Sequence, residues 1–229
     1  MIFVGRGALL QRAVDYTLTV GHRVDLVCSD DPADATTAPF LHTTDINAHE
    51  ERLRKECTDG IVWSINNLML FRAPLLESGL RIYNIHNGLL PQHRGLSSVA
   101  VLFAILHGHT EYGATLHEVD HGIDTGRVLA EQRFTIGTDA RYHQVLLRGV
   151  QNCHQLFERS LSAVVAGSLP STGTALPGPD SDPPSGYYGL RALGDLARYT
   201  GDPAYARATD LGVTAAFVPE VAAAIARTG

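Results

Sequence analysis

Apolar positions along the chain fall in short runs divided by polar stretches of helical period. The first five residues, MIFVG, are an apolar run of strand length. Residues 8 to 20 then place apolar side chains on one helical face, and residues 23 to 28 return to a strand pattern. Strand, helix, strand is the repeating unit of a parallel sheet, because a crossover helix is what brings the chain back to start the next strand in the same direction. The alternation continues. A polar stretch with Pro32 and Pro39 is followed by a helix near 47 to 57, the strand GIVWS at 60 to 64, a short helix over 70 to 78, and a strand over 81 to 86. The pattern predicts an α/β fold with a Rossmann-like, mostly parallel sheet and flanking helices.

Past residue 96 the pattern changes. Residues 97 to 107 are apolar with helical spacing, whereas 112 to 120 and 127 to 136 alternate with period two, as strands with one covered face do. Between those strands lies HGIDTG, residues 121 to 126, a loop with glycines on both sides of Asp124. Residues 138 to 166 read as a long helix with Thr138 as its N-cap. Residues 169 to 186 are rich in Pro, Gly, Ser and Thr, the composition of a linker or wrapping loop. Two short helical candidates follow in a small C-terminal appendage. The chain therefore divides into a main domain over 1–167 and a linker with a small subdomain over 168–229, and no internal repeat is evident.

Composition narrows the setting. The formal net charge is −6, and Lys55 is the sole lysine among 18 basic residues. With neither a lysine-rich patch nor an arginine stripe to meet phosphates, a nucleic-acid partner is not expected. Cys28, Cys57 and Cys153 are odd in number and far apart, which suits a reducing compartment rather than a disulfide framework. No apolar run approaches the roughly 18 residues of a membrane span, and the apolar start lacks a basic leader. The expectation is a cytoplasmic protein without a membrane partner.

The candidate chemistry begins where the strand LRIY runs into NIHNGLLPQHRG, residues 84 to 95. Asn84 and His86 stand two apart at a strand end, so their side chains share a face where the strand meets a loop. In α/β sheets that edge is where ligands bind. If the loop carrying Asp124 returns to the same edge, an amide, an imidazole and a carboxylate converge. That set suits acyl transfer to an amine: the amide and imidazole can donate to the oxyanion of a tetrahedral intermediate, and the carboxylate can orient the imidazole and take up the proton the amine loses.

NIHNGLLPQHRG followed by GATLHEVDHGIDTG resembles the signature of formyltransferases that use 10-formyltetrahydrofolate, among them the glycinamide ribonucleotide, methionyl-tRNA and amino-sugar enzymes. The resemblance extends from about residue 1 to 166 in the order of elements. It implies Asn84 and His86 on the oxyanion side, Asp124 as the catalytic carboxylate, and 10-formyltetrahydrofolate as formyl donor. The folate is then expected along Ser64 to Phe71, with Ser64, Asn66, Asn67, Leu68, Met69 and Leu70, along the Asp120 to Asp124 loop, with Asp120, Gly122 and Ile123, and at the turn after His86. Asn87 and Gly88 stand where many members carry proline and serine, a variant more like the enzymes of specialised metabolism and sugar modification. The first loop, GRGALL, lacks the Ser-Asn pair of the ribonucleotide enzymes, and the short acidic tail differs from the larger basic domain of the tRNA enzymes. The resemblance thus implies an N-formyltransferase acting on the primary amine of a small molecule. A nucleotide-linked amino sugar is the first choice, an amino acid or natural-product amine the second, and the enzyme is a possible homodimer.

Other readings stay open. A nicotinamide-dependent oxidoreductase would use the glycines of GRG with an acidic residue ending the second strand, where Asp30 and Asp31 lie. A folate-dependent hydrolase would release formate from the same site. Asp124 could be an Asx-turn residue between glycines. His117 is placed either to hold the Asp124 loop or to be a satisfied half-buried histidine. Arg94 ties down its own loop, and Tyr187 and Tyr188 either pack or line an acceptor pocket. His107, His109 and His121 lack a Cys or Glu at ligand spacing, so no metal is expected.

Overall fold

A computed structural model describes residues 1–169 and 186–228. The expected linker over 169 to 186 lies almost wholly outside the described residues. In chain order the elements are β1 (Ile2–Gly5), α1 (Gly7–Thr19), β2 (Leu26–Ser29), β3 (Phe40–His42), α2 (Glu50–Glu56), β4 (Ile61–Ile65), α3 (Ala73–Leu76) and β5 (Arg81–His86). There follow β6 (Arg94–Gly95), α4 (Ser97–Leu106), β7 (Glu111–Glu118), β8 (Val128–Thr135), α5 (Tyr142–Val165), β9 (Tyr187–Tyr188), α6 (Tyr205–Ala208) and α7 (Pro219–Ala226), with 3-10 turns between several of them.

Seven strands form one sheet in the order β3-β2-β1-β4-β5-β7-β8. The first five run parallel, β7 runs antiparallel to β5 and β8 antiparallel to β7, so the sheet is mostly parallel and Rossmann-like as expected. The parallel strands are apolar on both faces because each face is covered. On one side Phe3, Trp63 and Tyr83 pack with Phe157 of α5 and Leu10 of α1. On the other, Val4, Leu26 and Val62 meet Leu53 of α2 and Leu75 of α3.

Three local expectations change. Residues 112 to 117 of β7 are buried without alternation, because α5 covers the face of Ala114 and Leu116 and the turn after β5 covers the face of Thr115. The long helix begins at Tyr142, not after Thr138; the Arg141 N–H is capped by the Gln144 side chain at 2.9 Å, while Gly137 and Ala140 form a preceding turn. The helix expected over 70 to 78 is confined to Ala73–Leu76, and residues 66 to 72 are an irregular loop leaving β4.

Helix α4 is apolar on every side, and Val99 to Leu106 are all buried. Such a helix needs cover all round. Leu193, Leu196, Ala208, Leu211 and Val221 of the C-terminal segment supply it in one apolar cluster with α4 and Tyr142. Short β9 also pairs in parallel with β6, directly after the turn that carries the candidate chemistry.

The first glycine loop is closed from within. The buried Asp34 carboxylate accepts the Gly7 N–H at 2.9 Å and the Ser29 hydroxyl at 2.7 Å, while Arg6 lies 3.6 Å from Asp30. An anion at the start of α1 would have to displace a carboxylate already there. This removes the structural basis of the dinucleotide reading.

Candidate active site

The site assembles at the carboxyl end of β5. Ser64 on β4 is paired with Asn84, and antiparallel pairing sets Asn84 opposite His117 and His86 opposite Thr115 on β7. Residues directly opposite in such a pair share a face, and Asn84 Nδ2 lies 3.0 Å from His117 Nε2. His117 Nδ1 meets the Glu118 carbonyl at 2.7 Å and therefore carries the proton in the neutral ring. Its Nε2 accepts from Asn84, whose second amide N–H is unused within the described residues. A register shift in the β7·β8 ladder falls between Leu116 and His117, where a bulge re-aims a side chain.

Asp124 reaches this group from the loop after β7. Its Oδ1 lies 3.6 Å from His86 Nδ1 and 3.6 Å from His117 Nε2, and its Oδ2 accepts the Gly95 N–H at 2.8 Å. The structure thus brings Asn84, His86 and Asp124 together, with His117 between the amide and the carboxylate. Asp124 adopts φ +53°, which with Asn66 at +50° makes two non-glycine residues at positive φ among those described. Asp and Asn tolerate that region better than most side chains, and such backbone tends to collect at functional sites.

Two side chains anchor the Asp124 loop. Asp120 Oδ1 accepts the Gly122 N–H at 3.0 Å and the Thr125 hydroxyl at 2.6 Å. Arg94, 2 % exposed, donates from Nε and Nη2 to the Ile123 carbonyl at 3.0 and 2.8 Å. Arg94 therefore holds the Asp124 loop as well as standing in its own. On the other side, the turn after β5 is clamped by β7: the Thr115 hydroxyl donates to the Gly88 carbonyl at 2.8 Å and the Tyr112 hydroxyl to the Asn87 carbonyl at 2.8 Å. Sequence spacing gave no sign of Thr115 or Tyr112, since each acts across paired strands.

Of the expected folate residues, Ser64 lies beside Asn84, and Asn67 Nδ2 lies 3.4 Å from its hydroxyl. Asn67 also accepts the Met69 N–H at 2.9 Å, and Asn66 donates to the Arg6 carbonyl at 3.1 Å. Leu68 and Leu70 stand 60 % and 59 % exposed, and Ile123 40 % exposed. An open cleft lined by Leu68, Met69, Leu70, Asp30, Thr44 and Arg72 lies on this loop and includes none of Asn84, His86 or Asp124. Asp120 and Gly122 frame their own loop. Elsewhere, Asp25, Cys57 and Asp59 lie close together, but the two carboxylates already hold the Met1 ammonium at 2.7 and 3.2 Å.

Burial pushes the Asp124 pKa up, but the positive charge that the His86 and His117 rings carry when protonated, with the Gly95 N–H, outweighs it and holds the carboxyl well below the usual range. A carboxyl with a lowered folded-state pKa stabilises the fold above its unfolded value, about 3.9. That stabilisation is lost as pH falls through the folded value. In urea unfolding, the stability gap between wild type and Asp124→Asn is therefore expected to narrow on acidification below about pH 4. A gap that stays constant in acid would contradict an ionised Asp124.

Asn87 packs against α5. A Cβ at Gly149 would lie 2.1 Å from its Oδ1 and 3.0 Å from its Cγ. Gly149→Ala gains about 1 kcal/mol of helix propensity, but forcing Asn87 aside costs roughly 1–3 kcal/mol. A net loss of thermal stability is expected, together with slower turnover because Asn87 follows His86. A more stable variant would show that Asn87 yields freely.

Comparison with known proteins gives the site its context. A profile of the family described as formyl transferase matches residues 43–161, just over half of the chain. The chain belongs to the formyl transferase family. Methionyl-tRNA formyltransferase of Bordetella petrii is 28% identical over 201 residues, covering 75% of this chain and 61% of that protein. The Myxococcus xanthus enzyme of that name is 35% identical over 98 residues, 41% of this chain and 31% of that one. The chain thus spans less than two thirds of these formyltransferases. Among solved structures, a 4-N formyltransferase from Francisella tularensis superposes with TM-score 0.71 at 19% identity, covering 91% of this chain and 87% of that one. An N-formyltransferase from Helicobacter canadensis, solved with folinic acid and dTDP-3-aminofucose, gives 0.65 at 17% identity, covering 83% and 70%. These likenesses establish the formyltransferase fold.

Proposed function

We propose that the chain is an N-formyltransferase that moves a formyl group from 10-formyltetrahydrofolate to the primary amine of a small molecule, a nucleotide-linked amino sugar before an amino acid or natural-product amine. The observation that carries this reading is the convergence of Asn84, His86 and Asp124 in a chain of the formyl transferase family. The folate ligand and the nucleotide-linked amino sugar of the Helicobacter structure support the choice of donor and acceptor.

The folate donor supplies an activated formyl group on its N10. The 64–70 segment and the Asp120–Asp124 loop suit it, because exposed Leu68, Leu70 and Ile123 offer apolar contact to a flat heterocycle close to a polar cluster. Asn84 donates its unused amide N–H to the oxyanion that forms when the amine attacks the formyl carbon. His86 adds a second donor at Nδ1 when that nitrogen carries a proton, 3.6 Å from Asp124 Oδ1. The amine loses a proton as its C–N bond forms, N10 gains one as its own breaks, and Asp124 with His86 carries the proton between them.

The test supplies 10-formyltetrahydrofolate with a panel of nucleotide-linked amino sugars, amino acids and simple amines. Tetrahydrofolate release coupled to a formylated sugar product is expected. Release of formate with no formylated amine would assign a hydrolase, and formylation of methionyl-tRNA in preference to every small amine would overturn the acceptor.

A further inference from the structure

Beyond this catalytic group, a buried histidine with no assigned role stands at the far end of the β5 turn. His93 is 1 % exposed and its ring packs on Tyr112 with centroids 4.5 Å apart. Its main-chain N–H donates to the Leu89 carbonyl at 2.8 Å, and its ring Nδ1 accepts the Leu89 N–H at 3.1 Å. The two bonds clip the turn closed on both sides of one residue. Because Nδ1 accepts, the proton of the neutral ring sits on Nε2, which donates to His109 Nδ1 at 2.8 Å. Burial, with the nearby His109, His86 and Arg133, pushes the His93 pKa down to about 3, so the ring keeps its accepting nitrogen at neutral pH.

The clipped turn delivers the His93 carbonyl to His86. His86 Nε2 lies 2.6 Å from that oxygen, and a carbonyl can only accept, so Nε2 holds a proton. The contact runs directly over Gly88, where a Cβ would stand 2.7 Å from His86 Nε2 and 2.8 Å from the His93 carbonyl. The other nitrogen of His86, Nδ1, is the one 3.6 Å from Asp124.

We propose that His93 is a positioning residue: by clipping the turn at Leu89 it fixes the Nε2–H tautomer of His86 and leaves Nδ1 as the nitrogen that exchanges protons at the reacting carbonyl. The proposal deepens the formyltransferase reading and rests on it for the link to turnover. The tautomer itself is a property of the chain alone. His93→Phe keeps an aromatic ring against Tyr112 but removes both ring bonds. His93→Asn restores an acceptor where Nδ1 stood.

The experiment combines nitrogen NMR of the imidazoles in full-length protein, with the His86 signals assigned from a His86→Gln control, and steady-state kinetics with 10-formyltetrahydrofolate. In wild type the neutral His86 is expected as Nε2–H. His93→Phe is expected to mix the tautomers and to lower kcat by about 10- to 100-fold with little change in KM, the cost of an ångström-scale misplacement, and His93→Asn to recover most of the loss. A wild-type His86 protonated at Nδ1, or a His93→Phe enzyme with unchanged tautomer and kcat, would overturn the proposal. Should His93→Phe not fold, the wild-type spectrum and His93→Asn decide. Absence of formyl transfer in wild type with the expected tautomer present would count against the function and not against the positioning.

Discussion

Asp124→Asn is expected to lower kcat for formyl transfer by roughly 10²–10⁴-fold, the range seen when a positioned acid–base group is removed. Fold stability is expected to fall by no more than about 1–3 kcal/mol, the scale of hydrogen bonds to a charged group. Asparagine tolerates the positive φ of this position, and its amide oxygen can still accept the Gly95 N–H. What it loses is the charge facing His86 and His117, each 3.6 Å away. Single-turnover kinetics with urea unfolding of the same preparation separates the two effects. A well-folded, fully active variant would remove Asp124 from the chemistry.

Arg94→Met carries the second largest expected effect, although Arg94 would touch neither substrate nor donor. Arg94 and Gly95 grip the Asp124 loop at successive residues, through the Ile123 carbonyl and the Asp124 carboxylate. The Tyr187 ring lies 5.9 Å from the guanidinium, which links this grip to β9 and so to the C-terminal segment. Methionine fills much of the space but leaves a carbonyl without its two donors. A loss of roughly 2–4 kcal/mol is expected, with kcat reduced on the order of 10²-fold by loss of loop position. Arg94→Lys should recover little, because an ammonium cannot supply the forked geometry. Denaturant unfolding and kcat measured on both variants check this, and wild-type turnover in Arg94→Met would show that the loop holds its place without the guanidinium.

Much of this was written locally. The sheet's parallel half follows from apolar runs alternating with helix-period stretches, and the Asn84–His86 pair from its place at a strand end. The apolar length of α4 was equally legible; its cover was not, because those residues lie some 90 to 125 positions later in the chain and carry no local mark of their target. Thr138 looked like a cap since Thr often is one, but the Gly137–Ala140 turn moved the start of the helix past it. The period-two pattern of β7 suggested an open face, but the turn after β5, far from it in spacing, covers that face at Thr115.

By itself, then, the sequence determined the order of most elements and which residue types stood where a carbonyl could be met. Only the tertiary structure decided which nitrogen of His86 faces Asp124, that His117 sits between amide and carboxylate, and that Arg94 and His93 hold the two loops in place. The physical reason is that a hydrogen bond's direction depends on angles between segments that strand pairing brings together, whereas spacing along a chain fixes only which segments can meet.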